Sequence, residues 1–209
     1  MLIACAFTGV GYWAWPYRYH WIENNFREIE PGRVYAGGYQ YPGPLTRILQ
    51  THRIKTVLSL LPEGTDDDLR EQQVVAAMGV EFKRITIPTK DSGDHISQTS
   101  EVFIPSKLAS VQEAVAILSD TQNQPVFVHC QCGRHRVGSV IAVYRVQHCG
   151  WREAAARAEL VKWGGLQPGT GWPATVLHEF CQKEPQILSR PLHDSDSNPG
   201  RADQLTGRF

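Results

Sequence analysis

The sequence has no surplus of either charge, because 21 lysine and arginine residues balance 21 aspartate and glutamate residues. A nucleic-acid-binding protein usually carries a basic surface, so the composition does not favour nucleic acid as a general partner. The five cysteines are odd in number and lack the spacing of a disulfide framework, which favours a reducing environment. Cys130-x-Cys132 has no second pair of ligands at metal-binding spacing, so no metal site is predicted.

A long apolar run is also lacking, because the uncharged segment 2–16 is shorter than the roughly 20 apolar residues that cross a bilayer. No basic stretch precedes it and no small-residue cleavage site follows, so a secretory signal peptide fits poorly. Trp13, Trp15 and Trp21 resemble the aromatic belt of a membrane interface. Two interpretations stay open: a membrane anchor on a cytoplasmic protein, or an apolar segment that packs on the domain.

A chain of 209 residues is long enough for one domain with a substantial core. We predict that this domain covers residues 24–184 and follows an apolar and aromatic segment, 1–23. Residues 185–209 are polar and contain Pro, Ser, Asp and Gly, so they are predicted to form a disordered tail.

Short apolar strands alternate with helical segments along the predicted domain. Strands are predicted at 33–36, 54–61, 80–87 and 126–128, and helices at 45–51, 66–78, 105–118, 137–148, 151–163 and 173–181. The run IKTVLSLL has the β-branched, apolar composition of a buried parallel strand. This alternation predicts an α/β fold in which helices flank a mostly parallel central sheet.

The stretch 125–138, PVFVHCQCGRHRVG, carries most of the functional information. An apolar strand leads into His129 and Cys130, and an apolar helix follows Gly138. The clustered backbone N–H groups at a helix N-terminus favour an anion. A cysteine in that field should have a lowered pKa, so Cys130 is expected to be a thiolate near neutral pH. Arg136 closes the loop and can grip a phosphate through two parallel hydrogen bonds.

HCQCGRHRVG resembles the HC-x2-G-x2-R signature loop of the cysteine-dependent protein tyrosine and dual-specificity phosphatases, on which His129, Cys130, Gly133 and Arg136 match. The resemblance covers about 25–165 and is strongest to small bacterial dual-specificity-type phosphatases. It implies a phosphatase fold and hydrolysis of phosphate monoesters, with Cys130 as the nucleophile and Arg136 stabilising the transition state. It also implies that the reaction needs no metal and no cofactor.

The backbone of the same loop is predicted to bind the phosphate. Its members are Gln131, Cys132, Gly133, Arg134, His135 and Arg136. Gly133 can take a left-handed conformation that turns the N–H groups inward. His129 is expected to order the loop and to help keep Cys130 ionised, rather than to act as an acid or a base.

A general acid is needed to protonate the leaving oxygen. In the resembling families this acid is an aspartate, on a loop that follows a strand and precedes the signature. Asp91 in IPTKDSGDH is favoured because it lies closer to the strand end, and Asp94 is the alternative. His95 is a weaker candidate, and both aspartates could instead be solvated loop residues.

Two residues depart from the family pattern. The family usually has serine or threonine after the signature arginine, and this hydroxyl hydrogen-bonds the cysteine sulfur and helps it to leave. Val137 stands there, and Ser139 is expected to point elsewhere along the helix, so breakdown of the cysteinyl-phosphate is expected to be slow. Cys132 could form a redox cap with Cys130, but a C-x-C disulfide is strained, which favours a passive small side chain.

The charge of Arg134 and His135 leaves the substrate class open. GRHR resembles the GKHR of the plant and fungal atypical dual-specificity phosphatases, which act on inositol pyrophosphates. Phosphoproteins and polyphosphorylated small molecules, including phosphoinositides, are therefore both candidate substrates. Two other functions stay open: a rhodanese-type sulfurtransferase, whose loops lack this signature, and a weakly active phosphate-binding module.

Overall fold

A five-stranded sheet forms the centre of the molecule. The computed structural model describes residues 15–88, 103–165 and 171–185. Within them the strands are β1 Arg27–Glu30, β2 Val34–Gly38, β3 Thr56–Ser59, β4 Glu81–Arg84 and β5 Val126–Cys130, in the order β1-β2-β5-β3-β4. β1 is antiparallel to β2, and the other neighbouring strands are parallel. The predicted, mostly parallel sheet is confirmed.

Helices cover both faces of this sheet. After a 3-10 helix, Trp15–His20, the described α-helices are α1 Pro42–Thr51, α2 Asp66–Ala77, α3 Phe103–Ser119, α4 His135–Cys149, α5 Glu153–Lys162 and α6 Trp172–Lys183. Helices α1 and α2 pack on one face in a cluster that includes Leu45 and Phe127. Helices α3 to α6 pack on the other face in a larger cluster that includes Val140 and Phe180. The predicted three-layer α/β architecture is therefore confirmed.

Strand β5 lies in the middle of the sheet and is buried along its whole length. Because side chains alternate along a strand, Phe127 and His129 face α1 and α2, whereas Val128 and Cys130 face the larger cluster. Burial on both faces explains the apolar composition of this segment. Cys130 thus emerges at the carboxyl edge of the parallel strands, where α/β folds commonly bind ligands.

Several boundaries differ from the sequence-based predictions. The pattern does not predict β1, because the buried Arg27 occupies an inward position where an apolar residue is expected. Strands β3 and β4 are shorter than the predicted runs 54–61 and 80–87, since their ladder covers only four residue pairs. Helix α3 begins before Pro105, because proline is tolerated in a first helical turn, where N–H groups lack intrahelical partners.

The N-terminal segment is described only from residue 15 onward. There the His20 ring stacks on Tyr41 with centroids 3.8 Å apart, and Arg47 donates a hydrogen bond to the Trp21 carbonyl. None of the helices in the described ranges combines the length and apolar character needed to cross a bilayer. Most of the segment 2–16 and residues 186–209 of the predicted tail lie outside those ranges.

Candidate active site

The turn between β5 and α4 is built around Gly133. Gly133 has a φ of +68°, a left-handed value that favours glycine. A Cβ atom here would lie 2.4 Å from the carbonyl carbon of Gly37, so any side chain would collide with strand β2. The left-handed conformation expected from the sequence is present, and the close approach to β2 is a second reason for glycine.

Three side chains from the segment before β2 hold the outer surface of the loop. Each donates to one of three successive carbonyls: Asn24 to Gln131 at 3.3 Å, Asn25 to Cys132 at 2.7 Å, and Arg27 to Gly133 at 3.0 Å. In a trans peptide the C=O and the N–H point in opposite directions. The following three N–H groups therefore point into the loop, where an anion can accept from them.

Sequence reasoning missed these three donors. They lie 106 or 107 positions from the carbonyls that they hold, so no local pattern indicates them. Arg27 is also buried, and its guanidinium lies 4.8 Å from the ring centroid of Trp163. The only sequence signal is an arginine at an inward position of a short strand.

Cys130 lies at the base of the loop and is 2% exposed. The backbone N–H of Val137 donates to its sulfur, and the charge of Arg136 acts on the same atom. A hydrogen bond with the side chain of Cys132 is the largest influence on the pKa of this thiol. The loop thus brings two thiols together, not one.

The shared hydrogen bond corrects the expectation that the pKa of Cys130 is lowered. This bond and then burial raise the pKa of Cys130. The same bond, supported by the N–H groups of Arg134 and His135, lowers the pKa of Cys132 to about 5. The pair therefore holds one proton and one negative charge near neutral pH. The passive role of Cys132 stays a prediction from the sequence, as does the redox cap weighed against it.

Arg136 is anchored at the carboxyl edge of the sheet. Its Nη1 donates to the carbonyl of Leu60 at 3.1 Å, just beyond strand β3. Ser139 Oγ donates to the Arg136 carbonyl at 2.8 Å, so it points along its own helix, as expected from the sequence. Arg136 and Cys130 therefore meet at one end of the sheet, although they lie on different elements.

A second cation lies near Arg136. Lys107 in α3 is buried, its ammonium donates to the carbonyl of Pro88, and it lies 4.3 Å from the ring centroid of Trp172. Burial, followed by the charge of Arg136, lowers the pKa of Lys107 to about 8. Lys107 therefore joins α3 and α6 to the chain just after β4.

The lowered pKa of Lys107 predicts a pH-dependent stability. A lysine whose pKa is lower in the folded state adds stability as pH rises between its folded and unfolded values, and this stability is lost as pH falls. We expect wild type to gain stability relative to Lys107→Met as pH rises from about 8 to about 10. Urea unfolding across this range measures the difference. The exposed Lys55→Met should show no such trend, and a pH-independent difference for Lys107 would contradict the prediction.

His129 lies on the opposite face of β5 from Cys130. Its ring stacks on Phe127 with centroids 5.6 Å apart, and its Nε2 lies 2.9 Å from Oε1 of Glu71. Both side chains of this contact are buried, although their hydrogen-bond alignment is poor. The pair ties the end of β5, and hence the start of the loop, to helix α2.

Loss of this buried pair should cost stability. Glu71→Leu leaves the buried His129 ring without its polar partner, and we expect the free energy of unfolding to fall by about 2 kcal/mol, as for a buried polar group left unsatisfied. Gln73→Leu on the exposed side of α2 is the matched control and should change it by less than about 0.5 kcal/mol. Chemical denaturation measures both, and equal effects would show that the contact between Glu71 and His129 is not the cause.

A cleft of about 350 Å³ adjoins the loop. Three tyrosines contribute to its walls, and its loop side contains Gln131, Cys132 and Arg134. The tyrosines are Tyr19, Tyr39 and Tyr41. Arg134 places positive charge at this cleft, whereas the backbone of His135 faces Cys132. The cleft has room for a group larger than a phosphate.

The candidate general acids lie outside the described residues. Asp91, Asp94 and His95 all fall within 89–102. The chain enters this segment from Pro88, whose carbonyl accepts from Lys107. Their assignment therefore stays a prediction from the sequence.

Comparison with known families decides where this loop belongs. The model of the tyrosine phosphatase family matches residues 22–167, which include the complete loop. The chain belongs to the tyrosine phosphatase family. This match assigns the chain to a phosphatase family and not to a sulfurtransferase family. It confirms, at the family level, the resemblance inferred from Cys130, Gly133 and Arg136.

Named relatives of this phosphatase-family chain include two plant enzymes. It is 27% identical over 121 residues to the inositol diphosphatase DSP4 of Arabidopsis thaliana, covering 58% of this chain and 54% of the relative. It is 24% identical over 144 residues to the inositol diphosphatase DSP3 of the same plant, covering 69% and 64%. The chain thus spans less than two thirds of the length of these curated relatives.

Solved phosphatase structures share the fold. The core catalytic domain of the PP-IP phosphatase SIW14 of S. cerevisiae superposes with a TM-score of 0.60 at 16% identity, covering 80% of this chain and 92% of that chain. PTPMT1 in complex with PI(5)P gives 0.55 at 19% identity, covering 78% and 97%. P. aeruginosa TpbA in complex with pTyr gives 0.51 at 20% identity, covering 79% and 88%. At these identities the likeness concerns the fold.

Proposed function

We propose that this member of the tyrosine phosphatase family hydrolyses phosphate monoesters through a cysteinyl-phosphate on Cys130. The observation that carries the proposal is the loop geometry: a buried cysteine sulfur lies beneath inward N–H groups and near an anchored arginine. Such a site suits a tetrahedral dianion, because its donors are fixed before the substrate arrives. Family membership supports the same chemistry.

In the proposed mechanism the loop N–H groups and Arg136 hold the phosphoryl group in line with the Cys130 sulfur. The sulfur attacks phosphorus while the bond to the leaving oxygen breaks. Asp91, or alternatively Asp94, gives a proton to that oxygen. Water then attacks the cysteinyl-phosphate, its proton passes to the same carboxylate, and phosphate leaves.

Hydrolysis of an aryl phosphate under reducing conditions tests this function. We expect turnover by wild type, with release of phosphate equal to release of the aryl alcohol. Phosphate binding without turnover would favour a weakly active binding module instead. Transfer of sulfur from thiosulfate to cyanide, without phosphate release, would favour the sulfurtransferase interpretation.

A polyphosphorylated small molecule is a second candidate substrate besides phosphoproteins. Arg134 at the cleft supports it, because a cation next to the phosphate loop can pair with a further phosphate. The relatives named inositol diphosphatases support it too. The test is kcat/KM for a phosphopeptide, a phosphoinositide and an inositol pyrophosphate. Arg134→Gln should lower the value for the polyphosphorylated substrates more than the value for an aryl phosphate.

Association with a membrane surface is a further part of the proposal. Trp21 and Ile22 are 68% and 58% exposed, and adjacent exposed apolar side chains suit a lipid interface. Flotation with anionic phospholipid vesicles tests this. Trp21→Ser with Ile22→Ser should reduce binding, whereas Leu69→Ser at another exposed apolar position should not.

A further inference from the structure

Of the three side chains that hold the outer surface of the loop, Arg27 is the charged one. Asn24 and Asn25 hold two of the carbonyls as neutral amides, through exposed hydrogen bonds. Arg27 is 8% exposed, and its Nη2 donates to the Gly133 carbonyl at 3.0 Å in a buried hydrogen bond. A neutral amide therefore suffices to hold a carbonyl, whereas a buried charge costs free energy. The charge of Arg27 needs a reason beyond holding the loop.

The hydrogen bonds of Arg27 go to carbonyls and not to a carboxylate. Its Nη1 donates to the Asn25 carbonyl at 3.2 Å. Glu159 lines the same small cavity, but its carboxylate accepts from Arg145 at 3.1 and 3.3 Å. The ring of Trp163, with its centroid 4.8 Å from the guanidinium, covers Arg27. Within the part of the chain that the structure describes, no direct ion pair cancels this positive charge under the loop.

Two physical effects carry the charge of Arg27 to the inside of the loop. The Gly133 carbonyl and the inward N–H of Arg134 belong to one peptide unit. A charged donor on the carbonyl polarises this unit, so its N–H becomes a stronger donor. A buried charge is also screened little, so its field extends to a bound anion. In agreement, burial lowers the pKa of Arg27, while the negative charges of Glu159 and Cys130 act to raise it.

We propose that Arg27 is a positioning residue whose buried charge strengthens phosphate binding by polarising the Arg134 N–H through the Gly133 carbonyl. This inference rests on the proposed function, since it concerns the loop that holds the phosphoryl group in that reaction. Arg27 acts from outside the loop and is not itself a ligand of the phosphate. The loop then has a cation on each side, with Arg136 on the inner side and Arg27 beneath it.

Calorimetric titration with inorganic phosphate under reducing conditions measures this contribution without turnover. We expect Arg27→Gln, which keeps an amide donor, to weaken phosphate binding by roughly 10-fold, because charged donors make hydrogen bonds about twice as strong as neutral ones. Arg27→Lys keeps the charge and should weaken binding by about threefold at most. Asn25→Ala removes a neutral donor from the neighbouring carbonyl and should also weaken it by about threefold. The same order should appear in kcat/KM for an aryl phosphate.

A role in packing alone predicts a different order of affinities. Equal losses in Arg27→Gln and Arg27→Lys would overturn the proposal, and so would a loss in Asn25→Ala as large as that in Arg27→Gln. Thermal melts establish that each variant is folded. Phosphate binding by wild type without turnover would refute the proposed function, whereas the order of phosphate affinities tests Arg27 separately.

A further variant tests the charge while Arg27 stays in place. Trp163→Leu uncovers the guanidinium, so water and salt should screen its charge. Between about 0.1 M and about 1 M salt, we expect phosphate affinity to fall severalfold more in Trp163→Leu than in wild type. Trp151→Leu removes a ring 4.4 Å from the guanidinium of Arg145 and is the matched control, which should follow wild type. The salt dependence of wild type in Trp163→Leu would overturn the proposal.

Discussion

Replacement of Cys130 by serine is expected to lower kcat for an aryl phosphate by at least roughly 10⁴-fold, the scale on which loss of a covalent nucleophile lowers kcat. A serine hydroxyl stays protonated near neutral pH and is a weak nucleophile without a base to activate it. Its volume is close to that of a thiol, so the buried position should accept it. Steady-state release of the aryl alcohol measures the loss.

The same exchange at a second cysteine controls for folding. Cys149→Ser at the end of α4 should retain the rate of wild type, and a thermal melt of Cys130→Ser should show a folded protein. A Cys130→Ser protein that keeps more than a small fraction of the activity would show that the nucleophile lies elsewhere. Binding of inorganic phosphate should survive in this variant, because the loop N–H groups and Arg136 remain.

Arg136→Lys is the second large effect, with an expected loss in kcat of roughly 10³-fold. Lysine keeps the charge but cannot form two parallel hydrogen bonds to the equatorial oxygens. It also cannot present one nitrogen to the Leu60 carbonyl and others to the substrate, as the Arg136 guanidinium is placed to do. Because Arg136→Lys conserves the charge, a loss of kcat in this variant reports the hydrogen-bond geometry of the guanidinium rather than its charge.

Steady-state kinetics with an aryl phosphate measures the loss, and Arg157→Lys on the exposed side of α5 is the matched control. We expect a lower kcat at Arg136 and an unchanged kcat at Arg157. A full rate in Arg136→Lys would mean that positive charge near the loop is sufficient and that the fork geometry of Arg136 plays no part.

The elements around the loop could be predicted because their signals are local. Each of three features has its pattern within one short segment: the β-branched run before Ser59, the apolar run before His129 and the glycine turn at Gly133. Burial of β5 on both faces follows from its continuous apolar composition. The position of Cys130 at the carboxyl edge then follows from the order of strand, turn and helix.

The supports of the loop could not be predicted, because they are non-local. Asn24, Asn25 and Arg27 reach the loop across more than a hundred positions, and Glu71 on helix α2 reaches His129 on strand β5. Neither hydrophobic periodicity nor a short motif predicts contacts between residues so far apart in the sequence. These contacts depend on which strands pair, and strand pairing depends on the whole sheet.

Cys132 illustrates a further reason for such misses. The sequence places it two residues from Cys130, which suggests a strained disulfide or a passive small side chain. In the folded loop the Cys132 thiol raises the pKa of Cys130, while its own pKa is lowered. The chemical consequence of a C-x-C spacing therefore depends on backbone geometry that the spacing does not contain.

Trapping of the covalent intermediate tests the central claim most directly. Wild type would be acid-quenched during turnover of a radiolabelled aryl phosphate, digested, and the labelled peptide identified by mass spectrometry. We predict one labelled peptide, with the phosphoryl group on the sulfur of Cys130, and no label in Cys130→Ser. Turnover without any trapped phosphocysteine, or a label on another residue, would contradict a mechanism in which Cys130 is the nucleophile.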